Sequence, residues 1–283
     1  MLKKPKLKNV KPPGICIFCG GGAIPGNPMT GEHLWSDWMK NILPKYTEPH
    51  RAEGFAIEEF KDAPRQEKIY IRQGVPNSKK IKAVCKACNS GWMNRLETAA
   101  RPILTRLING DPCSLSTASQ RVLAQWIALK IMVSEHQNKN VYVTPEIDRR
   151  TFMNALTIPS YFHIRIGFCG EDPWRNAVLR QSISLLNDEF EIPEQRAPHN
   201  SQSVVWGLGN LFVIHFATIA STLKIDLNPE VDSFVPSISP KRRGNIAWPP
   251  TRRLSSGEAN KFSGSFRRAI DLITDGVQWV RNR

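Results

Sequence analysis

Over residues 54–84, short apolar runs alternate with charged turns, at Phe55-Ala56-Ile57, Ile69-Tyr70-Ile71 and Ile81-Lys82-Ala83-Val84. This pattern predicts strands, the last leading straight into Cys85. Other stretches carry the spacing of helices. Between His33 and Leu43, apolar residues fall at 34, 35, 38, 39 and 42, which predicts a helix ended by Pro44. From Ser90 to about Ile108, Trp92, Met93, Leu96, Ala99, Ala100, Ile103, Leu104 and Leu107 recur at three and four, one face of a helix that must tolerate Pro102. A further helix near Ser119–Val133 is apolar on most sides and is expected to be deeply buried.

Beyond residue 140 the character changes. Tyr161–Phe168, Ala177–Leu186 and Ser203–Thr218 alternate or run apolar with β-branched and aromatic residues, which predicts strands of an antiparallel sheet. An amphipathic helix is expected over roughly Asn260–Val280. Pro236–Pro250 reads as a loop carrying Lys241, Arg242 and Arg243, with Arg252 and Arg253 just after it. The fold class expected is α+β, with a compact unit at 14–110 and a helical and antiparallel-sheet domain of unassigned role at 111–283. Residues 1–13, with five lysines and three prolines, are expected to form a mobile basic arm.

Composition narrows the function classes. The 283 residues are 41% hydrophobic, enough for a sizeable core. No apolar run approaches the roughly 18 residues of a membrane span, and no apolar stretch of signal-peptide length follows the basic start, so a cytoplasmic location is expected. The formal charge is +14, and residues 1–110 hold 19 Lys/Arg against 9 Asp/Glu. Such a field attracts polyanions, with nucleic acid the first partner to consider; ribosomal contact or an anionic membrane would also fit.

Of six cysteines, four form two C-x-x-C pairs, Cys16/Cys19 and Cys85/Cys88. That arrangement favours metal over disulfides. Tetrahedral zinc takes four soft ligands, and two knuckles from separate segments supply them. Cys113 and Cys169 read as ordinary small core residues.

Zinc alone would only staple a fold. Glu32-His33 between the knuckles and Asn89 directly after the last cysteine add chemistry. Phosphodiester hydrolysis needs a base for water and a cation to stabilise developing charge. Imidazole suits the first task near neutral pH, and carboxylate and amide oxygens suit Mg2+ or Mn2+.

In these positions the chain resembles the HNH (ββα-metal, treble-clef) endonucleases, especially the zinc-containing branch that includes phage endonuclease VII. The matching residues are Cys16-Ile17-Phe18-Cys19, Glu32-His33 through Trp38, and Cys85-x-x-Cys88-Asn89-Ser90-Gly91-Trp92-Met93-Asn94-Arg95-Leu96-Glu97. The resemblance covers about residues 14–110, with a weaker echo through 119–133. It implies a zinc-stabilised ββα-metal nuclease domain in which the four cysteines hold structural zinc. His33 would be the general base, and Glu32 and Asn89 would bind one catalytic Mg2+ or Mn2+. It further implies DNA as substrate, with 5′-phosphate and 3′-hydroxyl ends. Glu97 is a further candidate metal ligand, although about 80° of helical rotation separates it from Asn89.

Two departures stand out. Glu32 replaces a common aspartate, lengthening the ligand arm by one methylene. The 51 residues between His33 and Cys85 exceed what a compact ββα unit needs, so the strands there read as an inserted hairpin. Its Arg65, Lys68, Arg72, Lys79, Lys80 and Lys82 suit either a phosphate-tracking surface or a solvated, charge-protected edge. His163 and His215 in apolar strands, and Trp35, Trp38, Trp92 and Trp126 at helical spacing, read as core. Two alternatives remain at this level: a non-catalytic zinc module that binds nucleic acid, and action on RNA, since the same groups serve either backbone.

Overall fold

In the computed structural model, residues 14–43, 50–57, 68–72, 80–137, 142–171, 174–183, 199–220, 229–240 and 244–265 are described. The expected basic arm at 1–13, Arg65, Lys79, Lys241–Arg243 and the end of the last expected helix lie outside them. Strand β1 (Met29–His33) leads to a 3-10 turn at Asp37–Asn41. Strands β2 (His50–Ile57) and β3 (Lys68–Arg72) pair antiparallel, and β4 (Lys80–Cys85) returns to pair antiparallel with β1. A helical run follows, built of α1 (Lys86–Cys88), a wider π-type turn (Asn89–Met93) and α2 (Asn94–Asn109). Then come β5 (Cys113–Leu115), α3 (Thr117–Ser134), α4 (Glu146–Ala155), β6 (Phe162–Phe168), β7 (Asn176–Ile183), β8 (Ser201–Leu208) and β9 (Leu211–Thr218). Short strands β10 (Ser237–Ser239) and β11 (Ile246–Trp248) and a helix at residues 256–265, α5, complete the described chain.

The result is a mixed α+β fold whose largest sheet has seven strands in the order β10-β6-β9-β8-β7-β2-β3. All neighbours are antiparallel except β2 and β7. The long 55–84 segment is thus divided: β2 and β3 extend the large sheet, while β4, with Lys80 and Lys82, belongs to the ribbon with β1. Every residue of β8 is buried. One face (Val204, Trp206, Leu208) joins the main core, and the other (Val205) joins a second cluster with Phe234, Leu254 and Ala259. Burial on both faces explains why Ser203–Thr218 reads as a near-continuous apolar run. It is in fact a hairpin, turned at Gly209 and Asn210, with Gly209 at φ +57°.

Both long helices follow from their sequences. In α2 the buried residues Leu96, Ala100, Leu104, Leu107 and Ile108 form one face. Gly110, at φ +80°, ends it, its N–H and that of Asp111 donating to Arg106 and Leu107 carbonyls, a left-handed cap that favours glycine. Ser116 caps α3 by accepting from Ser119 N at 3.2 Å, and most of α3 is buried. At its end the buried Glu135 accepts from Val143 N (3.2 Å), Thr144 N (3.0 Å), Thr144 Oγ1 (2.8 Å) and Gln202, which satisfies its charge. The main core cluster runs from Cys16 to Trp248. No helix among the described residues is long and apolar enough to cross a membrane.

The helix expected over His33–Leu43 is instead a strand end followed by one 3-10 turn. Glu32 and His33 are still paired with Ile81 and Lys80, and Ser36 is extended (φ −54°, ψ 138°), so helical winding starts only at Asp37. Of the expected apolar positions, Leu34, Trp35 and Met39 are nevertheless buried, and Trp38 and Ile42 are half-buried against the core. Helix α4, with no counterpart in the sequence reading, carries the buried Arg149 and Phe152.

Buried histidines set an acid limit on this fold. Burial, with the nearby His163, pushes His215 on β9 down to about 3, and burial takes His136 to about 3 and His199 to about 4. Below the ordinary value near 6.5 the unfolded chain binds protons that the folded chain refuses. Each such histidine therefore costs about 1.4 kcal/mol of stability per pH unit as pH falls through that window. Urea midpoints from pH 7 to 4.5 should decline accordingly, and His215→Leu should flatten the slope by about that amount.

Candidate functional site

The first knuckle is shaped by its backbone. Cys16 N donates to Gly21 O and Gly20 N to Cys16 O, both at 2.9 Å, and the left-handed φ of +69° at Gly20 makes that reversal possible. Ile17 N bonds Ala83 O at 3.0 Å, and Lys86 N bonds Pro28 O at 2.8 Å, stitching the knuckle segment to the C-terminal end of β4. Buried Arg149 of α4 clamps it from behind, donating to Ile17 O at 2.9 Å and to Thr144 O. β4 delivers Cys85, and α1 turns Cys88 back toward it.

Consequently the sulfurs of Cys16, Cys19, Cys85 and Cys88 all lie within 4.8 Å of one another, with Cys19 and Cys85 at 3.7 Å. A tetrahedral zinc with bonds of about 2.3 Å sets its sulfurs about 3.8 Å apart, so the four cysteines can hold a metal such as zinc. Gly21 N points at Cys19 Sγ from 3.4 Å. The Cys16 thiol is drawn down to about 4, first by the hydrogen bond from Cys88, while that contact and burial push Cys88 up. Cys113 and Cys169 lie outside this cluster and are free, Cys169 buried and Cys113 partly so.

Beside the cluster is a polar pocket lined by Gly31, Glu32, His33, Ser36, Asp37, Asn89, Met93, Asn94 and Glu97. Strand β1 supplies Glu32 and His33, the π-type turn supplies Asn89, and α2 supplies Glu97. The wider turn at Asn89–Met93, with Gly91 off helical angles (φ −91°, ψ −110°), alters the rotation expected of a regular helix between Asn89 and Glu97. Both residues reach one pocket despite the calculated 80° offset.

Each side chain has a defined setting. Asn89 Nδ2 donates to Thr30 Oγ1 at 3.0 Å, and Thr30 Oγ1 donates to Val84 O at 3.2 Å. Because the threonine proton is committed to Val84, Thr30 can only accept from Asn89, which leaves Asn89 Oδ1 free of this contact. His33 is lowered from its ordinary value, first by burial and then by the Lys80 ammonium, so its imidazole is neutral at pH 7. Asp37 is exposed and paired with Lys40 at 2.8 Å.

The residue that sequence reading missed is Lys130. It is fully buried on α3, and its ammonium contacts Glu32 Oε1, Glu97 Oε2 at 3.3 Å and His33 O at 3.1 Å. A signal for it existed in Ile127-Ala128-Leu129-Lys130-Ile131-Met132-Val133: a lone charge inside an apolar helix requires a buried partner. Comparison with protein-family models, with curated proteins and with solved structures finds no match to this chain.

Proposed function

We propose that the chain is a metal-dependent phosphodiester hydrolase of nucleic acid, an HNH-type endonuclease acting on DNA, with structural zinc on Cys16, Cys19, Cys85 and Cys88. The observation that carries this reading is the convergence of Glu32 and His33 from β1 with Asn89 and Glu97 from the helical run after β4 on one pocket next to the four-sulfur cluster. Glu32 Oε2, Asn89 Oδ1 and the Glu97 carboxylate are hard oxygen donors of the kind Mg2+ or Mn2+ takes. Bound there, such an ion would stabilise negative charge on the phosphorane and the leaving 3′ oxygen.

The chain's own residues do the rest. His33, neutral near pH 7, takes the proton from the attacking water. Thr30 holds the Asn89 amide by its nitrogen, so that its oxygen would be the atom offered to the ion. Lys80, exposed beside His33, puts positive charge where a phosphate would approach. By resemblance the ends left would be 5′-phosphate and 3′-hydroxyl.

The test is cleavage of plasmid, single-stranded DNA and RNA by zinc-loaded protein with Mg2+ or Mn2+, and again with chelator. Divalent-dependent cutting supports the proposal. Salt-sensitive binding with no nicking of any polymer would replace it with a non-catalytic zinc module. A finer prediction concerns Thr30. Thr30→Val frees the Asn89 amide to turn, so cleavage should fall about tenfold or more, as for other residues that orient metal ligands, with zinc content by elemental analysis unchanged.

A further inference from the structure

The proposed reaction uses Glu32 and Glu97 but leaves the charge between them unexplained. Lys130 projects from the middle of α3 with no exposed surface. Its three N–H bonds meet three acceptors, Glu32 Oε1, Glu97 Oε2 and His33 O, and the Trp126 ring, 5.8 Å from Nζ, flanks it. An enclosed ammonium persists only where its partners match it this fully. Here two of the partners are the carboxylates that the pocket would offer to a divalent ion.

Resting on the function proposed above, we infer that Lys130 is a tethered counter-ion, a positioning residue that competes with the divalent cation for Glu32 and Glu97. Two carboxylates brought together without a cation repel each other. Lys130 keeps them side by side when the pocket holds no metal, claiming one oxygen of each and leaving the other oxygen out of that contact. The same charge opposes an incoming divalent ion a few ångströms away. At an effective dielectric of about 20 that repulsion is worth at least about tenfold in affinity. The device gives a preformed ligand set with weak, exchangeable metal binding. An ordinary buried ion pair predicts the opposite response to its removal: disordered ligands and weaker binding.

The sign of the change is therefore the test. Mn2+ binding to the zinc-loaded full chain, without nucleic acid, is measured by the electron paramagnetic resonance of free Mn2+ for wild type and Lys130→Met. The dissociation constant of the variant should fall about tenfold or more; unchanged or weaker binding overturns the inference. Since Lys130→Met strands the buried Glu32 charge and could prevent folding, a second comparison removes that charge. Glu32→Gln/Lys130→Met should bind Mn2+ more tightly than Glu32→Gln, and equal affinities in that pair overturn the inference as well. If wild type cuts no polymer yet affinity rises on losing Lys130, the nuclease reading fails and the counter-ion stands. Mn2+ bound by neither wild type nor variant overturns the counter-ion, whatever the cleavage assay gives.

Discussion

Replacing His33 with alanine is expected to abolish divalent-dependent cleavage while the protein keeps its zinc and its fold. A positioned general base contributes about 10²- to 10⁴-fold, so the rate should drop by at least two orders of magnitude at saturating Mg2+. His33 is only partly buried, at the end of a two-stranded ribbon, and none of the four sulfurs depends on it. The thermal midpoint should therefore stay within a few degrees of wild type, and elemental analysis should return the same zinc content. The pH profile of wild type supplies a second readout. Burial and Lys80 lower His33, and in the proposed reaction it acts as neutral imidazole. Cleavage should thus hold as pH is lowered to the ordinary histidine value near 6.5 and fall only beneath it. A variant that cuts like wild type would remove His33 from the mechanism.

Cys85→Ser should produce the largest loss of stability. Cys85 is fully buried where β4 meets α1, and its sulfur lies 3.7 Å from that of Cys19. Serine oxygen is a poor substitute in a four-sulfur site, so zinc should be lost. In small zinc-dependent folds the metal contributes about 10–16 kcal/mol. Here the rest of the core persists, and a loss of roughly 5 kcal/mol corresponds to a fall of about 10–20 °C in the midpoint. Cleavage should disappear with the metal, because Asn89 directly follows Cys88 and the π-type turn that aims it begins at the cluster. Retention of both zinc and midpoint by the variant would show that the four cysteines are not a metal site.

How far the sequence discloses this molecule differs from element to element. Helices α2 and α3 and strands β4 and β6 are legible because each buries a face, or all faces, with a period set by its own backbone. The stretch at 33–43 misleads because apolar residues at 34, 35, 38, 39 and 42 fit helix spacing equally well when a strand end feeds a short turn. What decides it is the pairing of His33 with Lys80, 47 positions away, and local spacing carries no trace of that. The same limit hides the parallel pairing of β2 with β7. In the candidate site, the cysteine pairs and the Glu32-His33 and Asn89 positions are readable from residue chemistry. The Thr30 contact is not, since a threonine in a strand needs no explanation. Lys130 was readable in principle, from a charge with nowhere to go inside an apolar helix.

The aromatic side chains behind the pocket give the molecule an optical reporter of its own. Trp206 on β8 meets Trp35, three residues from Glu32, edge to face at 5.0 Å, and Trp126 of α3 at 6.3 Å. Indoles at such separations in fixed orientation couple their transitions and yield a strong near-ultraviolet circular dichroism signal, which vanishes when packing loosens even if secondary structure remains. Because the trio spans the segment just after His33, the helix that bears Lys130 and the large sheet, that signal would follow the seating of the site on its support in real time, with no label attached.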